Sequence, residues 1–247
     1  MNFTNKNVVI TGGSTGIGFA SAKAFINAGA NVWITGRNEA SLQKAAAEIN
    51  SPKLKTLVSD TSKLEDIAIL EKAISDNGQK LDVLYLNAGI AVFAPLAQAT
   101  EADFDSQFNI NVKGPYFTLQ RLLPHLNDGA SVLFTSSTVA TASMLGGSVY
   151  SATKGALNKI ATIAANEFAE RKIRVNIVSP GPISTPGLEN AVPEEFKGHL
   201  AAATALQRIG HPDEVAKAVL FLASEDASFI SGTELLVDGG YISYGLK

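Results

Sequence analysis

Short β-branched runs alternate with longer segments of helical period along the whole chain, and this alternation restricts the fold more than any other feature. The runs are Asn7 to Thr11, Asn31 to Thr35, Leu54 to Ser59, Leu81 to Asn87, Ser131 to Ser136, Arg174 to Ser179 and Thr233 to Val237. Apolar residues follow one another within them, as in parallel strands covered by helices on both faces. The pattern predicts an α/β fold with one doubly wound sheet of seven parallel strands and helices on both faces. Helix ends are marked by Gly29, by Gly78, by Thr100 with Asp103, and by His211-Pro212-Asp213-Glu214. No repeat, low-complexity tract or composition break divides the chain, so residues 1–247 read as a single domain. The least regular stretch runs from Pro180 to about Gln207.

Composition narrows the classes of function. With 46% hydrophobic and 17% charged residues, the chain can bury a sizeable core and has no disorder signature. A net charge of −3 gives no general attraction to nucleic acid or to an anionic membrane. There are no cysteines, and His125, His199 and His211 are too widely spaced for a zinc motif, so no metal is expected. No apolar run approaches the ~20 residues of a spanning helix, and the start lacks the pattern of a signal peptide. The expectation is a cytoplasmic protein with neither a membrane nor a nucleic-acid partner.

Thr11-Gly12-Gly13-Ser14-Thr15-Gly16-Ile17-Gly18 joins the first strand to the first helix. Glycines there let the backbone turn tightly and approach a pyrophosphate, whose charge is met by free amides at the helix N-terminus. A glycine-rich turn without a ligand is the plainer alternative. The spacing G-x-x-x-G-x-G departs from the usual G-x-G-x-x-G fingerprint. It resembles the loop of the short-chain dehydrogenase/reductase family, and the resemblance runs from the first strand to the last. It implies a Rossmann-type fold and NAD(P) as cofactor, held by Gly12, Ser14, Thr15, Gly16, Ile17 and Gly18. It further implies that Asp60 contacts adenine, that Asn87-Ala88-Gly89 passes the cofactor, and that Pro180, Gly181, Ile183 and Thr185 meet the nicotinamide carboxamide. The second strand ends in Gly36-Arg37, with no acid where a ribose 2′-hydroxyl would be bound. Arg37 suits a 2′-phosphate, which favours NADPH/NADP+; Thr15 supplies no second basic residue, so NADH/NAD+ use stays open. Alternatively, Arg37 is an ordinary solvated arginine.

Tyr150 and Lys154 are four residues apart at the start of a predicted helix, which puts them on one face. A phenol of pKa ~10 is a poor base at neutral pH, and a neighbouring ammonium favours its ionised form. Alone, such a pair is more often structural than catalytic. Ser137, at the end of the fifth strand, brings a hydroxyl to the same sheet edge, where ligands bind in folds of this kind. Ser136 is the adjacent alternative, and the family spacing selects Ser137. The resemblance assigns Ser137 to polarising the substrate carbonyl, Tyr150 to proton transfer, Lys154 to the cofactor ribose and Tyr150, and Asn111 to holding a water that links the lysine to solvent. Asn109 falls on a different helix face.

Phe93, Met144 and Leu145 lie in loops near this site and predict an apolar substrate cavity. Leu188, Val192, Phe196 and Leu200 recur every four residues, which reads as one apolar stripe on a short helix or lid over about 186–207, or as ordinary packing. Three functions follow. The first is an NADPH-dependent reductase of small apolar ketones, or the reverse alcohol dehydrogenase. The second is a 3-oxoacyl-carrier-protein reductase, for which Arg171, Lys172 and Arg174 could meet an acidic acyl carrier protein. The third is a non-catalytic dinucleotide sensor or scaffold, against which the set Asn111, Ser137, Tyr150 and Lys154 argues. Asp238-Gly239-Gly240-Tyr241 matches the family's usual ending, and the resemblance implies a homotetramer.

Overall fold

The computed structural model describes residues 1–243. Its seven strands are β1 (Asn7–Thr11), β2 (Asn31–Gly36), β3 (Leu54–Val58), β4 (Leu81–Leu86), β5 (Leu126–Thr135), β6 (Arg174–Pro180) and β7 (Glu234–Val237). They form one sheet in the order β3-β2-β1-β4-β5-β6-β7, and every neighbouring pair is parallel. Chain direction along the sheet reverses between β1 and β4, so the loops leaving these strands part to opposite sides and open a crevice at their C-terminal ends.

Consecutive apolar residues in a strand supply both faces. Val8 and Ile10 of β1 pack into the layer that contains α1 (Gly16–Asn27), α2 (Glu39–Ile49) and the last long helix, while Val9 packs into the other. The second layer holds α3 (Leu64–Asp76), whose Leu70 and Ile74 are buried there. All three β1 side chains are fully buried, each stabilising the sheet by about 1.5–3 kcal/mol.

After β4 the chain builds one long helical path in three parts. These are α4 (Glu101–Phe108), a π-helical turn at Asn109–Lys113, and α5 (Gly114–Leu122). Thr100 and Asp103 cap its start reciprocally, as the sequence predicts: Asp103 N donates to Thr100 Oγ1 at 3.1 Å and Thr100 N to Asp103 Oδ2 at 3.2 Å. Next comes α6 (Ser148–Glu167), which lays Leu157 and Ala161 on the second face of the sheet.

Three boundaries differ from the sequence reading. β5 begins five residues early, because an irregularity between Leu81 and Val83 lets Leu126 pair with Leu81 and carries Asn127-Asp128-Gly129 into the strand. The long helix contains the π turn. The stretch 186–207 is not one helix: α7 (Pro186–Ala191) stops before Val192, and α8 (Glu194–Ala202) starts after Pro193. Proline biases its predecessor away from helical geometry, and Val192 is extended at φ −123, ψ 118, so the four-residue stripe is broken in the middle. The chain ends its second long connection with α9 (Pro212–Ala223), capped reciprocally by His211 and Glu214 and packed beside α1.

Candidate active site

A cleft of about 800 Å³ opens at the C-terminal ends of the strands, along the divide between β1 and β4. Its floor near β1 is the glycine loop. Gly12 has φ +65, and a Cβ there would lie 2.8 Å from Ala88 Cα; a Cβ on Gly18 would collide with the Gly12 carbonyl. Asn87 braces this turn by donating to the Thr11 and Gly12 carbonyls, both at 3.1 Å. The N-terminus of α1 has no side-chain cap and no acidic residue in its first turn, so its amides face the cleft without competition from a carboxylate. This cradle fits the diphosphate of a dinucleotide.

Arg37 and Asp60 line the cleft beyond the end of β2. Partial burial pushes the Asp60 carboxyl up, but the Ser62 amide and hydroxyl, with the charges of Arg37 and Lys63, hold it below the usual carboxylate range. Its Oδ1 accepts from Ser62 N at 3.0 Å and from Ser62 Oγ at 2.7 Å. Arg37 itself is exposed, and Gly36 beside it is closely packed, since a Cβ there would lie 3.0 Å from the Ser14 hydroxyl and 3.5 Å from Leu42.

At the other end β5 and α6 converge. Tyr150 sits in the first turn of α6 and Lys154 one turn later, with Nζ 5.6 Å from the centre of the phenol ring. Lys154 Nζ donates to the Thr135 carbonyl at 2.9 Å and is buried. Burial lowers its ammonium to about 8. The Tyr150 phenol is raised, because burial outweighs the hydrogen bond with Ser137 that pulls it down. In the chain by itself desolvation sets the direction of this shift, against the lowering expected from the Lys154 ammonium. Ser137, not Ser136, is beside Tyr150; the Ser136 hydroxyl is buried and without a partner among the described residues.

Asn111 lies in the π turn, fully buried, and its carboxamide is committed: Oδ1 accepts from Ile90 N and Nδ2 donates to the Ile90 carbonyl, both at 2.8 Å. Nδ2 also donates to Thr153 Oγ1 at 3.1 Å. Asn111 and Lys154 meet across Gly89, where an added Cβ would lie 3.3 Å from Asn111 Oδ1 and 3.4 Å from Lys154 Nζ.

The cleft brings together the sequence-selected cofactor residues Gly12, Ser14, Thr15, Gly16 and Ile17 with Asn87, Ala88 and Gly89. Pro180, Gly181, Ile183 and Thr185 line it from the β6 side, and Phe93, Met144, Leu145 and Leu188 line its outer end. Gly18 and Asn111 stand behind this lining rather than in it. Sequence reasoning missed Ile90, Val139, Asn190 and Tyr241 as lining residues; Tyr241 belongs to a motif read only for assembly. Arg37, Asp60 and Lys154 are the charged side chains of the lining among the described residues, so the outer end is neutral and largely apolar.

Arg171 and Arg174 are not at the entrance. Arg174 opens β6, at the opposite edge of the sheet, and donates to the Leu222 and Ser224 carbonyls at the end of α9. Arg171 donates to the Leu123 and Leu126 carbonyls and pairs with Asp128. Lys172, in left-handed geometry at φ 54, belongs to the same edge.

A family model described as enoyl-(acyl carrier protein) reductase matches residues 12–242. The chain is 38% identical over 239 residues to oxidoreductase asL5 of Sarocladium schorii, covering 96% of each protein. Among solved structures it is similar to a short-chain dehydrogenase/reductase, glucose/ribitol dehydrogenase, from Brucella melitensis, with a TM-score of 0.93, 32% identity and 100% of both chains covered. It is also similar to a 3-ketoacyl-(acyl-carrier-protein) reductase from Brucella melitensis complexed with NADH, with a TM-score of 0.90, 33% identity, and 97% of this chain and 99% of that one covered.

Proposed function

The chain belongs to the short-chain dehydrogenase/reductase family, whose members act on CH–OH and carbonyl groups with NAD(P), and on that premise we propose that it is an NADPH-dependent reductase of small apolar ketones. The observation that carries this reading is the convergence of Ser137, Tyr150 and Lys154 between a glycine loop that suits a diphosphate and a neutral, largely apolar outer end of the same cleft. A dinucleotide bound there supplies a hydride in reduction and accepts one in oxidation.

The protein side of the reaction follows from the site. Ser137 donates a hydrogen bond to the substrate carbonyl oxygen, a contact that strengthens as that oxygen gains charge. Tyr150 delivers its phenolic proton to the same oxygen. Burial opposes the phenolate left behind, and the Lys154 ammonium is the cation placed to offset it. Asn111 holds the loop at Ile90 beside Gly89 and Lys154, where a water relay from solvent would return, through Lys154, the proton that Tyr150 gives up. In alcohol oxidation the proton runs from substrate to Tyr150.

Cofactor preference rests on Arg37, which lines the cleft beside Gly36, where a guanidinium suits a 2′-phosphate and the strand itself ends without a carboxylate. NADH remains an alternative cofactor, as the Brucella neighbour complexed with it suggests. A homotetramer in the cytoplasm is the matching assembly and location. Exposed Phe104, Tyr116 and Ile163 on α4, α5 and α6 support a partner surface, and no helix among the described residues is long and apolar enough to cross a membrane.

The similarity to a 3-ketoacyl-(acyl-carrier-protein) reductase favours a second reading, in which the substrate arrives on a carrier protein. Against it, the arginines that sequence reasoning offered for docking hold backbone carbonyls at the far edge of the sheet. The test compares NADPH oxidation with acetoacetyl-acyl carrier protein, the same group on a short thiol, and simple apolar ketones. Faster turnover of the free ketones supports the proposal, whereas strong preference for the carrier-bound group replaces it with the second reading.

A further inference from the structure

Gln107 and Asn111 stand four residues apart on the helical path after β4, and each carboxamide clips one residue of the loop that leaves β4. Gln107 Oε1 accepts from Val92 N at 3.1 Å and its Nε2 donates to the Val92 carbonyl at 3.3 Å. Asn111 makes the same pair of bonds to Ile90. Four residues of helix rise about 6 Å, close to the length of two residues of extended chain. The two amides therefore meet alternate residues of the loop as a neighbouring strand would.

Gln107 is only 1% exposed, and a buried carboxamide is unfavourable unless its donor and acceptor are both used. Both of its hydrogen bonds go to one place, the backbone of Val92. The next residue, Phe93, meets Tyr150 edge-on, with ring centres 5.8 Å apart and planes at 84°. Beyond it Ala94 N donates to the Gly146 carbonyl at 2.9 Å, which ties the loop to the segment bearing Met144 and Leu145. Phe93 is thus pinned on both sides, by Gln107 through Val92 and by Gly146 through Ala94. Phe93 is 40% exposed and lines the cleft together with Tyr150.

We infer that Gln107 is a positioning residue that holds Phe93 as a wall beside Tyr150, and so selects which substituent of a prochiral ketone lies against that wall. The inference rests on the reading of Tyr150 as proton donor. Selection arises because the two orientations of a ketone over one phenol differ in the group that must pass the Phe93 edge. A loosened wall admits both.

The experiment uses the full chain with NADPH and acetophenone as probe. Gln107→Met keeps a similar volume and loses both hydrogen bonds. It is expected to raise amide exchange in the Ile90 to Ala94 segment by about tenfold, and to move the ratio of the two 1-phenylethanol enantiomers about fivefold toward racemic. Gln107→Glu separates geometry from folding, since its protonated carboxyl makes both bonds and its ionised form cannot donate. The native ratio should return at acid pH and fade as pH rises. Unchanged exchange in Gln107→Met, or raised exchange with an unchanged enantiomer ratio, overturns the inference. Tyr150→Phe run in parallel distinguishes the two ideas: if it reduces acetophenone as well as the wild type does, the proton-donor reading falls and this inference with it.

Discussion

Lys154 reaches the cleft floor from α6, and its ammonium has the Thr135 carbonyl as hydrogen-bond partner. Burial lowers it from 10.5 to about 8, so the folded state binds this proton less readily than the unfolded chain. Below pH 8 both states are protonated and the folded state carries the full penalty; between about 8 and 10.5 the folded lysine is neutral first, and stability rises with pH. Replacing Lys154 by Met should therefore stabilise the protein at pH 7, by about 3 kcal/mol at most, while abolishing most turnover. The stability gap should close as pH rises through 8 toward 10.5, as thermal melts of both proteins in a pH series would register. At the other end of the cleft, Arg37→Ala should raise the KM for NADPH by about tenfold and leave that for NADH nearly unchanged, measured by initial rates with each cofactor. The spacing of Tyr150 and Lys154 made the pair legible in the sequence. The sign of the phenol's shift was not, because it depends on how deeply α6 and the loop at Phe93 bury the ring.

Among the elements, strands were the most legible and the two long connections the least. Strand cores such as Val8-Val9-Ile10 announce themselves because both faces are covered. The π turn at Asn109–Lys113 leaves no mark in the hydrophobic period, since it adds one residue to a helix that remains amphipathic on either side. Pro193 is visible in the sequence, yet the four-residue apolar stripe runs across it without a break in period, so the pattern alone does not show that the helix stops there. Arg171 shows the same limit, since a basic cluster does not say which edge of the sheet it occupies. Its guanidinium fastens the Leu123 and Leu126 carbonyls at the entry to β5. Arg171→Ala should consequently destabilise the protein by about 1–3 kcal/mol in denaturant titration, with the KM for ketone or carrier-bound substrate unchanged. A raised KM for the carrier-bound substrate alone would restore Arg171 to a docking role.

For the whole molecule, one sheet receives all seven strands, which supports treating the chain as a single catalytic unit. Reversal between β1 and β4 sets the cleft, and the placement of the cofactor cradle and the Tyr150 cluster along it follows from which loops leave on which side. The glycine spacing disclosed that plan, but the outer apolar end depended on contacts between loops far apart in sequence, such as Ala94 with Gly146. Assembly is checked by light scattering, where a homotetramer gives a solution mass four times the 25.8 kDa of the chain, and a monomer mass refutes it. The central claim is that this cleft reduces a carbonyl with Tyr150 as proton donor. It is tested most directly by comparing wild type and Tyr150→Phe for NADPH binding by fluorescence and for ketone reduction at saturating NADPH. The account predicts nearly equal affinity for NADPH and a loss of at least about a hundredfold in turnover. Near-normal turnover in Tyr150→Phe would contradict it.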